Sequence, residues 1–182
     1  MLRIAFYGGS FNPPHVGHMM VASWVLWADL ADEVHICPVA DHPFGKDLLP
    51  FQERMALCGA MKEDMHDNRI HINPIERTMP PGANYTYDTL QALREQNPDR
   101  VIRPLMGSDI LTSAHKWKAW DELVQKFPPI FVGREGYPAQ DSPTFPNISS
   151  TEVRDQLGRG EIPSGRLSRS VLEYIRKHGL YR

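Results

Sequence analysis

The chain opens with an apolar run, Arg3 to Tyr7, that is too short for a helix and stops at a glycine pair, so it reads as a short buried strand. From Val16 to Leu30 the residues Met20, Val21, Trp24, Val25 and Leu26 fall at mostly helical spacing. Glu33 to Pro38 predicts a second strand, and a loop rich in Pro, Asp and Gly follows from Val39 to Leu49. Pro50 suits a first helical position, and Phe51 to Lys62 reads as its helix. Arg69 to Ile75 alternates as a strand does. Asn84 to Gln96 reads as a helix with Thr86 as a cap. Val101 to Met106 predicts a strand, Trp117 to Lys126 a helix and Pro129 to Gly133 a strand. Two helices, Ser150 to Leu157 and Ser168 to His178, close the chain.

Strands that alternate with helices imply βαβ units. The expected fold is α/β: a Rossmann-like, doubly wound parallel sheet with helices on both faces. Residues 1–182 are read as one domain, of which the helical part from about 148 to 182 carries a second motif. In such sheets ligands bind beyond the carboxyl ends of the strands. Three predicted strands end there in suggestive residues: Gly8-Gly9-Ser10, Gly107-Ser108-Asp109 and Gly133-Arg134.

Bulk properties narrow the classes. The 182 residues suit one domain, and 41% hydrophobic with 23% charged residues argues against wholesale disorder. A formal net charge of −2 provides no global basic field for nucleic acid or an anionic membrane, so neither is an expected partner. Cys37 and Cys58 form no C-x-x-C pair and read as reduced buried thiols. The apolar start is too short for a signal peptide, and no run approaches a membrane span. A cytoplasmic location follows by default, and a homo-oligomer stays open.

The richest stretch is Gly8-Gly9-Ser10-Phe11-Asn12-Pro13-Pro14-His15-Val16-Gly17-His18. Two glycines after a strand allow a sharp turn and close approach of the backbone to a ligand. The first turn of the following helix offers backbone N–H groups and positive dipole, which suit phosphate. His15 and His18, three apart, share a helix face and can donate to a transferring phosphoryl group. Gly17 between them removes a side chain that would block it. A His-x-x-His pair can also bind metal, but no third ligand is evident nearby, and no dedicated metal site is expected. Near the other end, Ser149 and Glu152 form a capping box that starts a helix. Ser150 and Thr151 hydroxyls flank its N-terminus, and Arg154 adds a forked positive charge one turn in.

Gly8 to His18 resembles the signature of the HxGH nucleotidyltransferases, Gly-Gly-Ser/Thr-Phe-Asp/Asn-Pro-x-His-x-Gly-His. Ile148-Ser149-Ser150-Thr151-Glu152-Val153-Arg154 resembles their second signature. Asn84-Tyr85-Thr86-Tyr87-Asp88-Thr89-Leu90 resembles a segment of the nicotinate mononucleotide adenylyltransferases. Gly107-Ser108-Asp109, Trp117, the stretch Val132 to Tyr137 and the closing Gly179-Leu180-Tyr181 fit their bacterial branch.

The resemblance implies transfer of AMP from ATP to a pyridine mononucleotide, in NAD biosynthesis, with pyrophosphate released. It implies catalytic roles for His15, His18 and Arg154. Gly8, Gly9, Ser10, Phe11, Lys46, Gly107, Asp109, Ile148, Ser150 and Thr151 would bind ATP. Tyr85, Thr86, Trp117 and Arg134 would bind the acceptor, with Trp117 stacking on its flat ring. Mg²⁺ would ride on the ATP phosphates. The family's Pro-x-His-Lys segment is replaced here by Pro38 to Asp47, with Lys46 in the lysine's place. That departure leaves nicotinate and nicotinamide mononucleotide both open as acceptors. A nucleotide-binding module without catalysis is the alternative from another class.

Overall fold

The computed structural model describes residues 1–40, 48–80 and 84–182. Its elements run β1 (Arg3–Gly9), α1 (Val16–Trp27), β2 (Glu33–Pro38), α2 (Phe51–Met65), β3 (Ile70–Ile72), α3 (Ile75–Thr78), α4 (Thr86–Gln96) and β4 (Val101–Gly107). A 3₁₀ segment (Ser108–Lys116), α5 (Trp120–Lys126), β5 (Ile130–Arg134), β6 (Thr144–Phe145), α6 (Ser150–Gly158) and α7 (Arg169–His178) follow. The six strands form one sheet in the order β3-β2-β1-β4-β5-β6, every pair parallel. This is the doubly wound α/β sheet that the alternation of strands and helices predicts.

The period of two in β1 assigns its side chains to two separate cores. Ala5 faces the core shared with Val21 and Val25 of α1, Leu57 and Met61 of α2, and Val171 and Ile175 of α7. Ile4 and Phe6 face the other, with Leu90 and Leu93 of α4 and Leu123 of α5. After β1 the chain proceeds to β2 and β3 on one side, then returns to β4 on the other. The order in which strands are added therefore reverses between β1 and β4, where a crevice opens beyond the strand ends.

Several local expectations are corrected. Gly8 and Gly9 are not a turn but the last two residues of β1, paired in register with Cys37 and Pro38. The α1 helix ends at Trp27 rather than Leu30, because Asp29 takes a left-handed conformation (φ 53°). The strand expected over 69–75 shrinks to Ile70–Ile72. Asn73 Oδ1 there accepts the Ile75 amide at 3.0 Å and turns the chain into α3. Pro50 and Tyr85 occupy the N-cap positions of α2 and α4, so Pro50 is not the first helical residue and Thr86 is not a cap. Trp117 precedes α5, which begins only after Ala119 in the left-handed region (φ 52°). The α3 turn and the two-residue β6 are too short to leave a period in the sequence.

Leu57 is fully buried against the first core. Leu57→Ala is expected to cost about 2–5 kcal/mol through lost burial and the cavity left behind. Urea denaturation checks this as a lower midpoint with an unchanged slope.

Candidate active site

Phe11 makes the turn that leaves β1. It sits in the left-handed region (φ 47°), and the following Asn12–Pro13 peptide is cis. Its ring is buried rather than offered to a ligand, lying 4.8 Å from the His18 ring and 5.6 Å from Tyr7, centroid to centroid. The glycines are explained by the same rings. A Cβ on Gly8 would approach the Phe6 ring at 2.7 Å, and one on Gly9 the Phe11 ring at 3.2 Å.

His15 is the N-cap of α1 with extended backbone, and its amide donates to Nδ1 of His18 at 3.0 Å. That bond assigns the neutral His18 its proton on Nε2, leaving an N–H to donate. The two imidazoles stack with centroids 3.7 Å apart. Gly17 keeps this stack intact, since a Cβ there would stand 3.0 Å from Nδ1 of His15. Gly17 also lines the narrow cavity beside the two rings. Nδ1 of His15 is buried without a hydrogen-bond partner.

Burial, and then the Arg134 guanidinium, lower the His15 pKa from 6.5 to about 4. His18 lies well below its ordinary value, first through burial, then through His15 and Arg134. Both imidazoles are therefore neutral at pH 7 in the ligand-free protein.

These rings line a narrow cavity of about 50 Å³ together with Gly17, Gly107, Arg134 and Ile148. Arg134, expected beside the acceptor ring, belongs to this imidazole cavity instead, because it ends β5 next to β4. Its Nε lies 3.7 Å from Oδ1 of Asp109, and Gly107 leaves the room for that pair.

The start of α6 docks on the same loop. Arg154 Nη1 donates to the Asn12 carbonyl at 2.8 Å, and Ser150 Oγ donates to the Pro13 carbonyl at 2.9 Å. The two distant helix beginnings therefore meet. The Ser150 hydroxyl, expected on phosphate, is engaged by Pro13, and Thr151 Oγ1 accepts from Arg154 Nη2 at 3.3 Å. Ser149 Oγ accepts the Glu152 amide as expected of a cap, while the Glu152 carboxylate pairs with Arg166 at 2.7 Å.

A second cavity, of about 290 Å³, lies across the strand ends. It is lined by Gly8, Gly9, Ser10, Tyr85, Thr86 and Trp117, so the strand glycines and Ser10 face the aromatic side rather than the imidazoles. Leu105 and Met106 of β4 line both cavities. Phe6 lines the larger and Tyr7 the smaller, so the two lie on opposite faces of the sheet and meet at its switch point. Lys46 lies outside the described residues.

Sequence reasoning missed the residues that hold this frame. Arg54 is buried and donates to the carbonyls of Leu49 (2.9 Å), Ser10 (3.1 Å) and Ala40 (3.3 Å). Oδ1 of Asn12 accepts from the Tyr181 hydroxyl at 2.7 Å. Arg54 takes a place on the helical stripe of Phe51, Leu57, Cys58 and Met61, and a charged residue on an otherwise apolar stripe is the one signal that could have marked it.

Among the described residues one group, Glu33, His35 and His71, has donor atoms close enough to share a metal ion. Its donors are engaged otherwise. The Asn73 side-chain amide donates to Nδ1 of His35 at 3.1 Å, with its own oxygen held by the Ile75 amide. His35 therefore keeps its proton on Nε2, facing Glu33 at 3.2 Å, and Arg100 holds the same carboxylate at 2.5 Å.

A family model described as cytidylyltransferase-like matches residues 6–156. The "Probable nicotinate-nucleotide adenylyltransferase" of Anaeromyxobacter sp. (strain K) is 40% identical over 181 residues, covering 99% of this chain and 97% of its own. The chain belongs to this family. The protein of the same name from Myxococcus xanthus (strain DK1622) is 39% identical over 183 residues, covering 99% of this chain and 95% of its own. The Plasmodium falciparum nicotinic acid mononucleotide adenylyltransferase complexed with NaAD superposes with a TM-score of 0.83 at 21% identity. That match covers 100% of this chain and 98% of the other, and shows that the fold is shared. Among the described residues no helix is long and apolar enough to cross a membrane.

The depressed imidazoles fix a sign. Between about pH 4 and 6.5 the unfolded chain binds the protons that buried His15 and His18 refuse, so stability rises with pH. The ligand-free protein is expected to lose on the order of 5 °C in Tm between pH 7 and pH 5. Thermal unfolding followed by circular dichroism checks it, with His15→Asn flattening the dependence.

Proposed function

We propose that this chain transfers AMP from ATP to nicotinate mononucleotide, giving the deamido dinucleotide and pyrophosphate in NAD biosynthesis. The observation that carries the reading is the meeting of two unlike cavities at the switch point. One presents paired imidazoles and Arg134, with Arg154 docked beside its entry loop; the other presents Trp117 and the start of α4. The names of relatives matched over nearly the full chain support it.

The acceptor phosphate is already an anion, so it needs no strong base. One of its oxygens forms a bond to the α-phosphorus of ATP as the bond from that phosphorus to the β-bridging oxygen breaks. Catalysis is then positioning and charge stabilisation. His18 donates its Nε2 proton as a hydrogen bond to an α-phosphoryl oxygen. A bound triphosphate favours the charged imidazole, opposing the burial that keeps both rings neutral without it. His15 and Arg154 then face the departing phosphates. Arg154 has five N–H groups, and the Asn12 and Thr151 bonds engage two of them.

Arg134 moves in this reading from the acceptor to the nucleotide phosphates. Gly8, Gly9 and Ser10 shape the junction, and Gly107, Asp109 and Ile148 border the nucleotide. Trp117 offers a face to the pyridine ring, and the amides of Tyr85 and Thr86 at the α4 N-terminus meet its carboxylate.

Among the described residues lining the narrow cavity there is no carboxylate, and Asp109 beside it is paired with Arg134, so this cavity offers little to a hard cation. Mg²⁺ fits as an ion carried by the triphosphate and water, where it neutralises phosphate charge. The same reading treats residues 1–182 as one domain working in the cytoplasm, consistent with the two buried, unpaired thiols of Cys37 and Cys58.

A pyrophosphate-release assay with ATP and Mg²⁺ tests the acceptor. We expect kcat/KM for nicotinate mononucleotide to exceed that for nicotinamide mononucleotide by about tenfold or more. The reverse order, or ATP binding without turnover, would sink the assignment. His18→Ala is expected to lower kcat by on the order of 10²–10³ with the fold intact; a fully active variant would remove His18 from the mechanism.

A further inference from the structure

Val39, on one wall of the larger cavity, is followed by a residue held from both sides. Ala40 follows β2, where the chain leaves the sheet. Its amide donates to Oε2 of Glu76 at 2.8 Å, and its carbonyl accepts from Nη2 of Arg54 at 3.3 Å. Glu76 is 4% exposed and Arg54 1%, so both charges are held inside the protein next to the cavity.

Glu76 also reaches the third segment of that wall. Thr89 Oγ1 faces Oε1 at 3.3 Å, sharing its proton with the Tyr85 carbonyl, and the Asn84 side-chain amide donates to the Glu76 carbonyl at 3.2 Å. Val39, Glu76 and the turn Asn84 to Tyr87 all line the cavity. Arg54 meanwhile grips the Ser10 carbonyl at the end of β1. A buried carboxylate in an apolar setting is costly unless it is bonded and paired, and here its bonds run to the segments that shape one ligand site.

We propose that Glu76, with Arg54 as its counterpart, is a positioning residue that sets the geometry of the acceptor cavity by locking residue 40 to the start of α4. It touches no reacting atom. Its effect falls on acceptor affinity rather than on the phosphoryl step. The inference rests on reading this cavity as the acceptor site.

The test uses the full chain and two readouts. Glu76→Ala should raise the KM for nicotinate mononucleotide about tenfold, with the KM for ATP and kcat changed less than about threefold. Glu76→Gln, which keeps an oxygen for the Ala40 amide, should restore most of the acceptor affinity. Thr89→Val keeps the side-chain shape and releases Oε1. It should raise the acceptor KM about threefold, and it carries the test if Glu76→Ala does not fold.

Hydrogen exchange of the Ala40 amide, read by NMR without substrate, should be slow in wild type and Glu76→Gln and fast in Glu76→Ala. An acceptor KM unmoved in both Glu76→Ala and Thr89→Val overturns the proposal. So does an Ala40 amide still protected in Glu76→Ala, or a fall in kcat with both KM values constant. If wild type fails to use nicotinate mononucleotide, the functional reading fails and the exchange measurement alone decides the clamp.

Discussion

The site depends on the docking of α6 onto the loop that follows β1. Arg154 and Ser150 approach from more than 130 positions away and close on two adjacent carbonyls, those of Asn12 and Pro13. Those carbonyls belong to a loop outside the strand and helix ladders. The contact satisfies them while holding a permanent cation against the loop that leads into the imidazole pair. Tyr181 adds a bond to the same Asn12 from the last turn of the chain. Both ends of the sequence are thereby committed to one loop.

The chemistry of that loop follows from burial. Enclosing His15 and His18 against Phe11 and Tyr7 holds them neutral, and the His15 amide then sets which nitrogen of His18 carries the proton. A neutral donor costs less to enclose than an imidazolium, yet it can gain charge when an anion arrives. Arg134 and Asp109 stand half in solvent, where their pairing at 3.7 Å is loose.

Legibility in the sequence followed the length and periodicity of each feature. Gly8 to His18 and Ile148 to Arg154 are contiguous stretches in which backbone and side-chain chemistry are read together, so their convergence was foreseeable. The reasons for single residues were not. Gly8, Gly9 and Gly17 looked like concessions to a ligand, and the structure shows them making room for the rings of Phe6, Phe11 and His15. Phe11 looked like a contact for ATP and is a core residue. Arg134 ends a strand whose neighbours are fixed by sheet order, and sheet order is absent from local pattern; the structure places it in the cavity of the imidazoles rather than in that of Trp117.

By itself, the sequence determined the α/β class, the strand-and-helix order and the helix starts near His15 and Ser149, because these follow from periodicity and local hydrogen-bonding chemistry. Tertiary structure alone decided which cavity each residue faces, that Ser150 binds a carbonyl, and that Glu76 and Arg54 close on Ala40. Contacts between residues dozens of positions apart are set by how the layers pack, and they leave no period in the chain that makes them.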